Sequence, residues 1–234
     1  MEHQTSFPYG RYAESEYLQW LNHKQVIVVG PAGYLLDKGK GSWIDGHEVV
    51  VRINHALPIK YSEDYGTRTD VLYHILSKRT KLKTRLPPIG EDEILLWKEH
   101  IKWLVCRHSK ISTRIHSLAP LIDNAFPWTC MNYTFYKGIK REIGEKAPNT
   151  GITAIIHILQ AEVKSLTIAG FDLYDSGVYP GYGDAKDNND ARQTNDLWHS
   201  ANAQKQYLKK VIQRDNRIII DDVLKGVLDN GHKN

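Results

Sequence analysis

The chain has 234 residues, of which 41% are hydrophobic and 25% are charged, and it carries a formal net charge of +4. These values are typical of a globular protein with a sizeable core, and no linker divides the sequence, so we expect a single domain over residues 1–234. The positive excess suits an anionic ligand such as a nucleotide, but it is too small by itself to indicate nucleic acid.

The sequence predicts neither a membrane span nor a secretion signal. No apolar stretch approaches the roughly 18 residues that a transmembrane helix needs, and the first 22 residues lack the apolar core of a signal peptide. Residues 12–22 instead predict a short helix with Tyr17, Leu18 and Leu21 on its inner face. We expect Cys106 and Cys130 to be buried, reduced thiols, and the protein to be cytoplasmic.

Residues 25–76 combine buried strands with two candidate ligand loops. The first strand, residues 25–30, ends in Gly30-Pro31-Ala32-Gly33, whose glycines allow a sharp turn and a close approach to a ligand. A second strand, residues 48–53, leads into Asn54. Polar residues at the carboxyl end of a buried strand lie where open α/β sheets bind ligands. Another apolar run, residues 71–76, predicts a third strand.

The middle of the chain is less informative. Residues 93–99 predict a short helical turn, residues 101–107 a strand and residues 110–118 a helix. The basic run at 78–83 is interpreted as a solvated loop, with an acidic acceptor or a lipid surface as the functional alternative. The aromatic-rich segment 124–137 predicts core packing, although aromatic faces also stack on sugars.

A second candidate ligand segment begins at Asn149-Thr150-Gly151. Asn149 or Thr150 is a good N-cap for a helix that continues to residue 160, and a helix N-terminus binds phosphate through its first N–H groups. The strand that follows, residues 166–169, leads into Phe171 and Asp172.

A long polar connection separates Phe171 from His199. Such a connection inside a compact domain predicts a functional lid or a mobile segment. Asp184, Asp187 and Asp190 lack the Gly and the terminal Glu of a calcium loop, so we interpret them as solvated acids. His199 precedes a predicted helix that extends to about residue 214, and a strand at 217–220 and a short helix follow.

The order and spacing of these features resemble the large sialyl motif of the sialyltransferases, glycosyltransferase family 29. VVGPAG at 28–33, IDGHEVVVRINHA at 44–56 and DYGTRT at 64–69 follow that motif. Residues 148–171 resemble the family's small motif, and the segment from His199 to Gln204 resembles its last motif. The chain departs from the family in having Pro31-Ala32 for Asn-Ser, Gln204 for Glu, and no histidine in the loop before His199.

The resemblance implies an α/β, Rossmann-like nucleotide-binding fold of a variant GT-A type, with a mostly parallel sheet between helices. It also implies an inverting, metal-independent glycosyltransferase with no cofactor. Such an enzyme moves sialic acid, Kdo or a similar sugar acid from a CMP-sugar donor to a hydroxyl of a glycan or other acceptor. The sequence agrees in one respect: it contains no Asp-x-Asp pair, which metal-dependent nucleotide-sugar transferases commonly use to hold the ion.

The resemblance also assigns site residues. His199 is the expected general base, with His55, His157 or a loop aspartate as competing candidates. His47 and Arg52 are expected to tie the large-motif loop to the sheet, and Arg68 to pair with a nearby carboxylate such as Asp45 or Asp64. The expected donor site consists of Gly30, Pro31, Ala32, Gly33, Asn54, Asn149, Thr150, Gly151, Phe171, Asp172 and Tyr182.

Two other functions remain open at this point. VVGPAG after a strand is also compatible with a nicotinamide-dependent oxidoreductase, although the third glycine position is Leu36 and the expected acidic position is Val50. A non-catalytic nucleotide-binding or nucleic-acid-binding protein, with the basic run at its surface, is the other alternative.

Overall fold

The structure, a computed structural model, describes residues 10–76, 89–107, 112–144, 146–173, 175–182 and 199–229, with the backbone alone for 112–117. The basic run at 78–83 and the three loop aspartates Asp184, Asp187 and Asp190 lie outside the described residues. The strands are β1 Gly10–Arg11, β2 Gln25–Val29, β3 Val49–Ile53, β4 Val71–His74, β5 Trp103–Cys106, β6 Pro127–Cys130, β7 Ser165–Ala169 and β8 Ile218–Ile220. The α-helices are α1 Glu14–Leu21, α2 Gly41–Asp45, α3 Ser62–Tyr65, α4 Glu91–His100, α5 Ser112–Asp123, α6 Tyr133–Ile143, α7 Thr150–Ile158, α8 Ala201–Arg214 and α9 Asp222–Asp229.

Within the described ranges, eight strands form one sheet in the order β1-β6-β5-β4-β3-β2-β7-β8. Every neighbouring pair is parallel. From β2 the chain first builds outward through β3, β4 and β5 to β6, and later returns to the other side of β2 with β7 and β8. The strand order therefore reverses at β2, and such a switch point creates a crevice at the carboxyl ends of the strands.

The central strands form because their sequences are apolar and β-branched. β3 is buried at all five positions and β2 at four of its five, the pattern of a parallel strand covered on both faces. Helix α7 is equally apolar and is buried at every position from Thr150 to Ile158. Because α7 packs beneath β2, β4 and β7, its N-terminus has a fixed position relative to the carboxyl edge of the sheet.

The structure refines two sequence predictions. The segment 124–137 divides into β6 and the start of α6, and Phe126 and Trp128 are core residues with 1% and 2% exposure. Asn132 caps α6 by accepting hydrogen bonds from Thr134 N at 2.8 Å and Phe135 N at 3.2 Å. The Gly-rich stretch after β2 contains the short helix α2. A helix of five residues is too short to show an apolar periodicity, so the sequence did not predict it.

None of the helices in the described ranges is both long and apolar enough to cross a bilayer.

Candidate active site

A cleft with about 460 Å³ of empty space lies at the carboxyl edge of the sheet, at the switch point beside β2. Its walls come from the segments that follow β2, β3 and β7, and from the start of α7. Open α/β sheets bind their ligands in this position. The lining residues are Pro31, Ala32, Ile53, Asn54, Asn149, Thr150, Gly151, Gly170, Phe171, Asp172, Leu173, Gly177, Val178 and Tyr182.

Beside the cleft, the loops after β2 and β7 touch through their backbones. A Cβ built on Gly30 would overlap the carbonyl oxygen of Gly170, and a Cβ on Gly170 would overlap that of Gly30. Gly170 also has a φ of +72°, which favours glycine. Gly33 N donates to Gly177 O at 3.1 Å. Gly30 and Gly33 are therefore outside the cleft walls and hold the surrounding loops together.

Asn54 is placed on the cleft wall by an unusual backbone. Its φ is +50°, in the left-handed region that asparagine tolerates better than most residues. Asn54 N donates to Tyr73 O at 2.7 Å, and the side-chain oxygen accepts from Ile75 N at 3.3 Å. These bonds join the ends of β3 and β4 and use the side-chain oxygen of Asn54, whose amide Nδ2 is a hydrogen-bond donor.

The N-terminus of α7 forms another part of the cleft wall. Asn149 is its N-cap, and Asn149 Oδ1 accepts from Ile152 N at 2.8 Å. Gln204 of α8 is fully buried, and its Oε1 accepts from Asn149 N at 2.7 Å. The first N–H groups of the helix, including those of Thr150 and Gly151, have no intrahelical acceptor and carry positive partial charge. The wall is consequently suited to an anion such as phosphate.

Gly151 and Phe171 fit closely at the same place. A Cβ on Gly151 would overlap the Phe171 ring and lie 3.2 Å from Cδ1 of Ile53. The absence of a side chain at 151 thus lets the aromatic ring of Phe171, which is only 7% exposed, pack against the start of α7.

Two further side chains line the cleft, and a third lies close to one of them. Tyr182 donates its hydroxyl to Ile53 O at 2.8 Å, which holds its ring against the end of β3. Asp172 is 3% exposed and accepts a hydrogen bond from Ser176 N at 2.6 Å. Lys60, which the sequence patterns did not single out, places its ammonium group against Gly181, next to Tyr182. Because Lys60 lies in no recognisable motif, only the fold reveals it.

His199 is tied to the segment that leads into the cleft. Its Nδ1 lies 2.6 Å from Ala147 O, two residues before Asn149. A carbonyl oxygen only accepts, so Nδ1 carries the proton and Nε2 is the basic nitrogen of the neutral ring. His199 is not among the residues that line the cleft.

The competing histidines have different surroundings. His157 is fully buried, with Nδ1 2.8 Å from the Tyr73 hydroxyl and Nε2 2.8 Å from Glu14 Oε1. Such a residue cannot reach an acceptor hydroxyl. His55 directly follows the lining residue Asn54, so it remains the competing candidate for the general base. Its ring centroid lies 5.2 Å from that of His74.

His47 and Arg52 connect the large-motif loop to the sheet, as expected from the sequence. His47 Nε2 lies 3.1 Å from Thr167 Oγ1 of β7. Arg52 is 2% exposed and donates from Nε to Arg68 O at 2.9 Å, and from Nη2 to Tyr65 O. Burial lowers the pKa of Arg52 to about 10, so the guanidinium is charged at neutral pH.

Arg68 pairs with a nearby carboxylate as predicted, but the two named candidates, Asp45 and Asp64, are wrong. Its guanidinium pairs with Asp70 at 2.8 Å, and it also donates to the carbonyl oxygens of Asp45 and His47. The carboxylate of Asp45 accepts instead from Thr67 N and Arg68 N; burial acts to raise the Asp45 pKa, but these bonds lower it below its ordinary value. Asp64 accepts from Lys38 N and Gly39 N, so backbone N–H groups already occupy both predicted carboxylates.

The sheet topology defines a Rossmann-like α/β domain with a cleft at its switch point. The sequence model of glycosyltransferase family 29 (sialyltransferase) matches residues 5–215. The chain therefore belongs to this family, as its motifs indicate.

Curated relatives agree with the assignment. The chain is 25% identical over 151 residues to a type 2 lactosamine alpha-2,3-sialyltransferase of Mus musculus, which covers 56% of the chain and 45% of the relative. It is 35% identical over 51 residues to sialyltransferase-like protein 2 of Oryza sativa subsp. indica, covering 22% of the chain and 13% of the relative. The chain thus spans less than half the length of either relative.

Solved sialyltransferase structures share the fold. A mammalian sialyltransferase has 16% identity and a TM-score of 0.50, covering 89% of this chain and 77% of the other. The Campylobacter jejuni sialyltransferase CstII, solved with the substrate analogue CMP-3FNeuAc, has 15% identity and a TM-score of 0.52, covering 84% and 81%. The predicted Rossmann-like, GT-A-type fold is confirmed.

Proposed function

We propose that this protein is an inverting glycosyltransferase that moves sialic acid or a related sugar acid from a CMP-sugar to a hydroxyl of a glycan acceptor. The observation that carries the proposal is the shared cleft of Asn54 and the α7 N-terminus, which brings a side-chain amide and a helix end suited to an anion into one site. Membership of family 29 supports it. It is favoured over a nicotinamide-dependent oxidoreductase and over a non-catalytic binder, because neither explains the match over three motifs.

In this proposal the donor phosphate binds at Thr150 and Gly151, whose N–H groups begin α7. The Thr150 hydroxyl and the Asn54 amide supply further donors, and the Tyr182 and Phe171 rings form an apolar wall for the nucleoside. The C. jejuni sialyltransferase has been solved with a CMP-sugar analogue, and a mammalian one with Gal-beta-1-3GalNAc-ortho-nitrophenol. Those ligands support a CMP-sugar donor and a glycan acceptor here.

The charge of the departing CMP has to be met without a metal ion under this proposal. Helix α7 contributes its N-terminal partial charge, and the Lys60 ammonium group, which lies against Gly181 next to the lining residue Tyr182, is proposed to add a positive charge. Within the described residues, no three His, Cys, Asp or Glu side chains lie close enough together to hold a metal. A direct test is transfer in the presence of a chelator, where undiminished activity is expected and loss restored by a divalent ion contradicts metal independence.

His199 is the proposed general base. The Ala147 carbonyl holds the proton on Nδ1, so Nε2 is able to accept the proton of the acceptor hydroxyl. The hydroxyl oxygen forms its bond to the anomeric carbon as the bond to CMP breaks on the opposite face, which inverts the anomeric configuration. Because CMP is a good leaving group, this step has little need of a strong general acid.

The His199→Ala variant tests this role. We expect CMP binding within about twofold of wild type and transfer reduced by about a hundredfold or more, since general base catalysis typically contributes 10²–10⁴. His100→Ala, at an exposed position of α4, is the matched control and should leave both unchanged. Near-normal transfer by His199→Ala, with a large loss in His55→Ala, would assign the base to His55 instead.

The donor is tested separately with the wild-type protein. Thermal-shift measurements should show stabilisation by CMP and none by NAD or a short oligonucleotide. Release of CMP from a panel of CMP-sugars, with and without acceptor glycans, then identifies the sugar. Stabilisation by NAD alone would overturn the proposed function.

A further inference from the structure

Cys106 and Cys130 stand next to each other in the sheet, although 24 positions separate them in the sequence. They are the last residues of β5 and β6, and they are register partners in this parallel pair. Neighbouring strands lie about 4.8 Å apart, and disulfide-bonded cysteines usually have Cα atoms about 4.4–6.8 Å apart. Register partners in parallel strands also point to the same face. The sheet therefore holds the two thiols within bonding reach.

The two thiols differ in access and in acidity. Cys106 is fully buried, whereas Cys130 is partly exposed. The hydrogen bond from the Cys106 thiol lowers the pKa of Cys130, and the nearby positive charge of Arg11 lowers it further. The same hydrogen bond, together with burial, raises the pKa of Cys106. Since the thiolate is the nucleophile, Cys130 is the thiol that reacts first with a reagent from solution.

We propose that Cys130 and Cys106 form an attacking and resolving pair that a small-molecule disulfide converts reversibly into an intramolecular disulfide. This inference does not depend on the proposed function.

The reaction balances with oxidised glutathione as the oxidant. The Cys130 thiolate attacks one glutathione sulfur, forms a mixed disulfide and releases the first glutathione as a thiolate. Cys106 then attacks the Cys130 sulfur and releases the second. The two protein thiols lose two electrons and two protons in total, and the glutathione disulfide takes them up as two glutathione thiols.

The bond would form at the edge of the sheet that also carries the cleft. Met131 N donates to Cys106 O at 2.9 Å, so the backbone ladder already joins the two strands beyond the cysteines. This local restraint keeps the sulfurs together during the exchange and favours the resolving step over escape of the mixed disulfide.

The experiment uses the full chain, incubated with oxidised glutathione, quenched by alkylation and measured by intact mass and peptide mapping. Wild type should lose both alkylatable thiols, retain no glutathione and yield a peptide joining Cys106 to Cys130, and a dithiol reductant should restore both thiols. Cys106→Ser should accumulate one glutathione on Cys130, because no resolving thiol remains. Cys130→Ser should stay unmodified, because the remaining thiol is buried.

Three outcomes would overturn the proposal: two free thiols in treated wild type, a wild-type protein that keeps its glutathione adduct, or covalent dimers in place of the internal link. Melting curves establish whether each serine variant is folded, and Cys106→Ala replaces Cys106→Ser if the hydroxyl destabilises the core. The wild-type result is decisive without any variant.

Discussion

Replacing Gln204 with methionine removes the side-chain acceptor that holds the segment before α7. Gln204 is fully buried on α8, and its Oε1 accepts the hydrogen bond of Asn149 N at 2.7 Å. Methionine has a similar length and volume, so the Gln204→Met variant leaves no large cavity. The main perturbation is therefore at the Asn149 N–H group, which loses its partner inside the protein. The variant also loses the long hydrogen bond from Nε2 to Ser200 O at 3.4 Å, but that carbonyl keeps the hydrogen bond of the residue 204 backbone N–H at 3.0 Å.

The expected magnitude follows from that unpaired donor. Leaving a buried N–H without an acceptor costs about 1–3 kcal/mol, so the free energy of unfolding should fall by this amount. Asn149 also caps the helix whose first residues, Thr150 and Gly151, line the cleft. If CMP binding has to restore the displaced cap, a cost of about 1.4 kcal/mol weakens the affinity about tenfold.

Urea unfolding and calorimetric CMP titration measure the two effects. Gln206→Met is the matched control, because Gln206 is exposed on the same helix and its change should stay within about 0.5 kcal/mol. Equal unfolding free energies for the two variants would refute the reasoning that the Asn149 hydrogen bond orders the site. A stability loss with unchanged CMP affinity would separate the fold of this segment from ligand binding.

The remaining predictions concern Asn54, Arg68 and Glu14. Asn54→Gly keeps the left-handed backbone of this position and should weaken CMP binding, measured by calorimetry, about tenfold. Asn54→Ala removes the same side chain but also adds backbone strain. Unchanged CMP affinity in both variants would exclude Asn54 from the site. Arg68→Ala removes a partly exposed ion pair and several backbone contacts, so it should lower the melting temperature and reduce the free energy of unfolding by about 1–3 kcal/mol. Its preference among CMP-sugar donors should stay unchanged. A variant with full stability but no donor binding would contradict this structural role. Burial acts to raise the Glu14 pKa, but hydrogen bonds from His157 and Asn132 N hold it below its ordinary value, so the ionised carboxylate stabilises the fold above the unfolded-state pKa and loses this contribution as the pH falls through the folded-state pKa. The unfolding free energies of wild type and Glu14→Gln, measured against pH, should therefore converge at low pH. A difference that stays constant with pH would contradict this contribution of Glu14.

The sequence predicts much of the fold and of the cleft, because local signals determine them. Runs of β-branched residues identify β2 and β3, and Asn149 ahead of an apolar segment identifies the start of α7. Asn54 follows a buried strand and Thr150 begins a helix, and both are positions at which open α/β sheets bind ligands, which is why the sequence assigns them to one donor site.

Features that depend on long-range register could not be predicted in the same way. The partner of Arg68 is decided by which carboxylates the backbone N–H groups already occupy. The contact of Glu14 with His157 depends on how α1 packs against α7. The neighbouring cysteines follow from the pairing of β5 with β6, and a sequence interpretation of each thiol alone describes them only as small core residues.

The contact between Gly30 and Gly170 limits how the ligand preference of the cleft can be changed by mutation. Each glycine excludes any larger residue at the other, because a Cβ on either overlaps a backbone carbonyl. The two loops beside the cleft are consequently already at their closest approach, and no choice of side chain at these two positions brings them closer together. An altered ligand preference would have to be engineered at lining positions that carry a side chain, such as Leu173 and Val178.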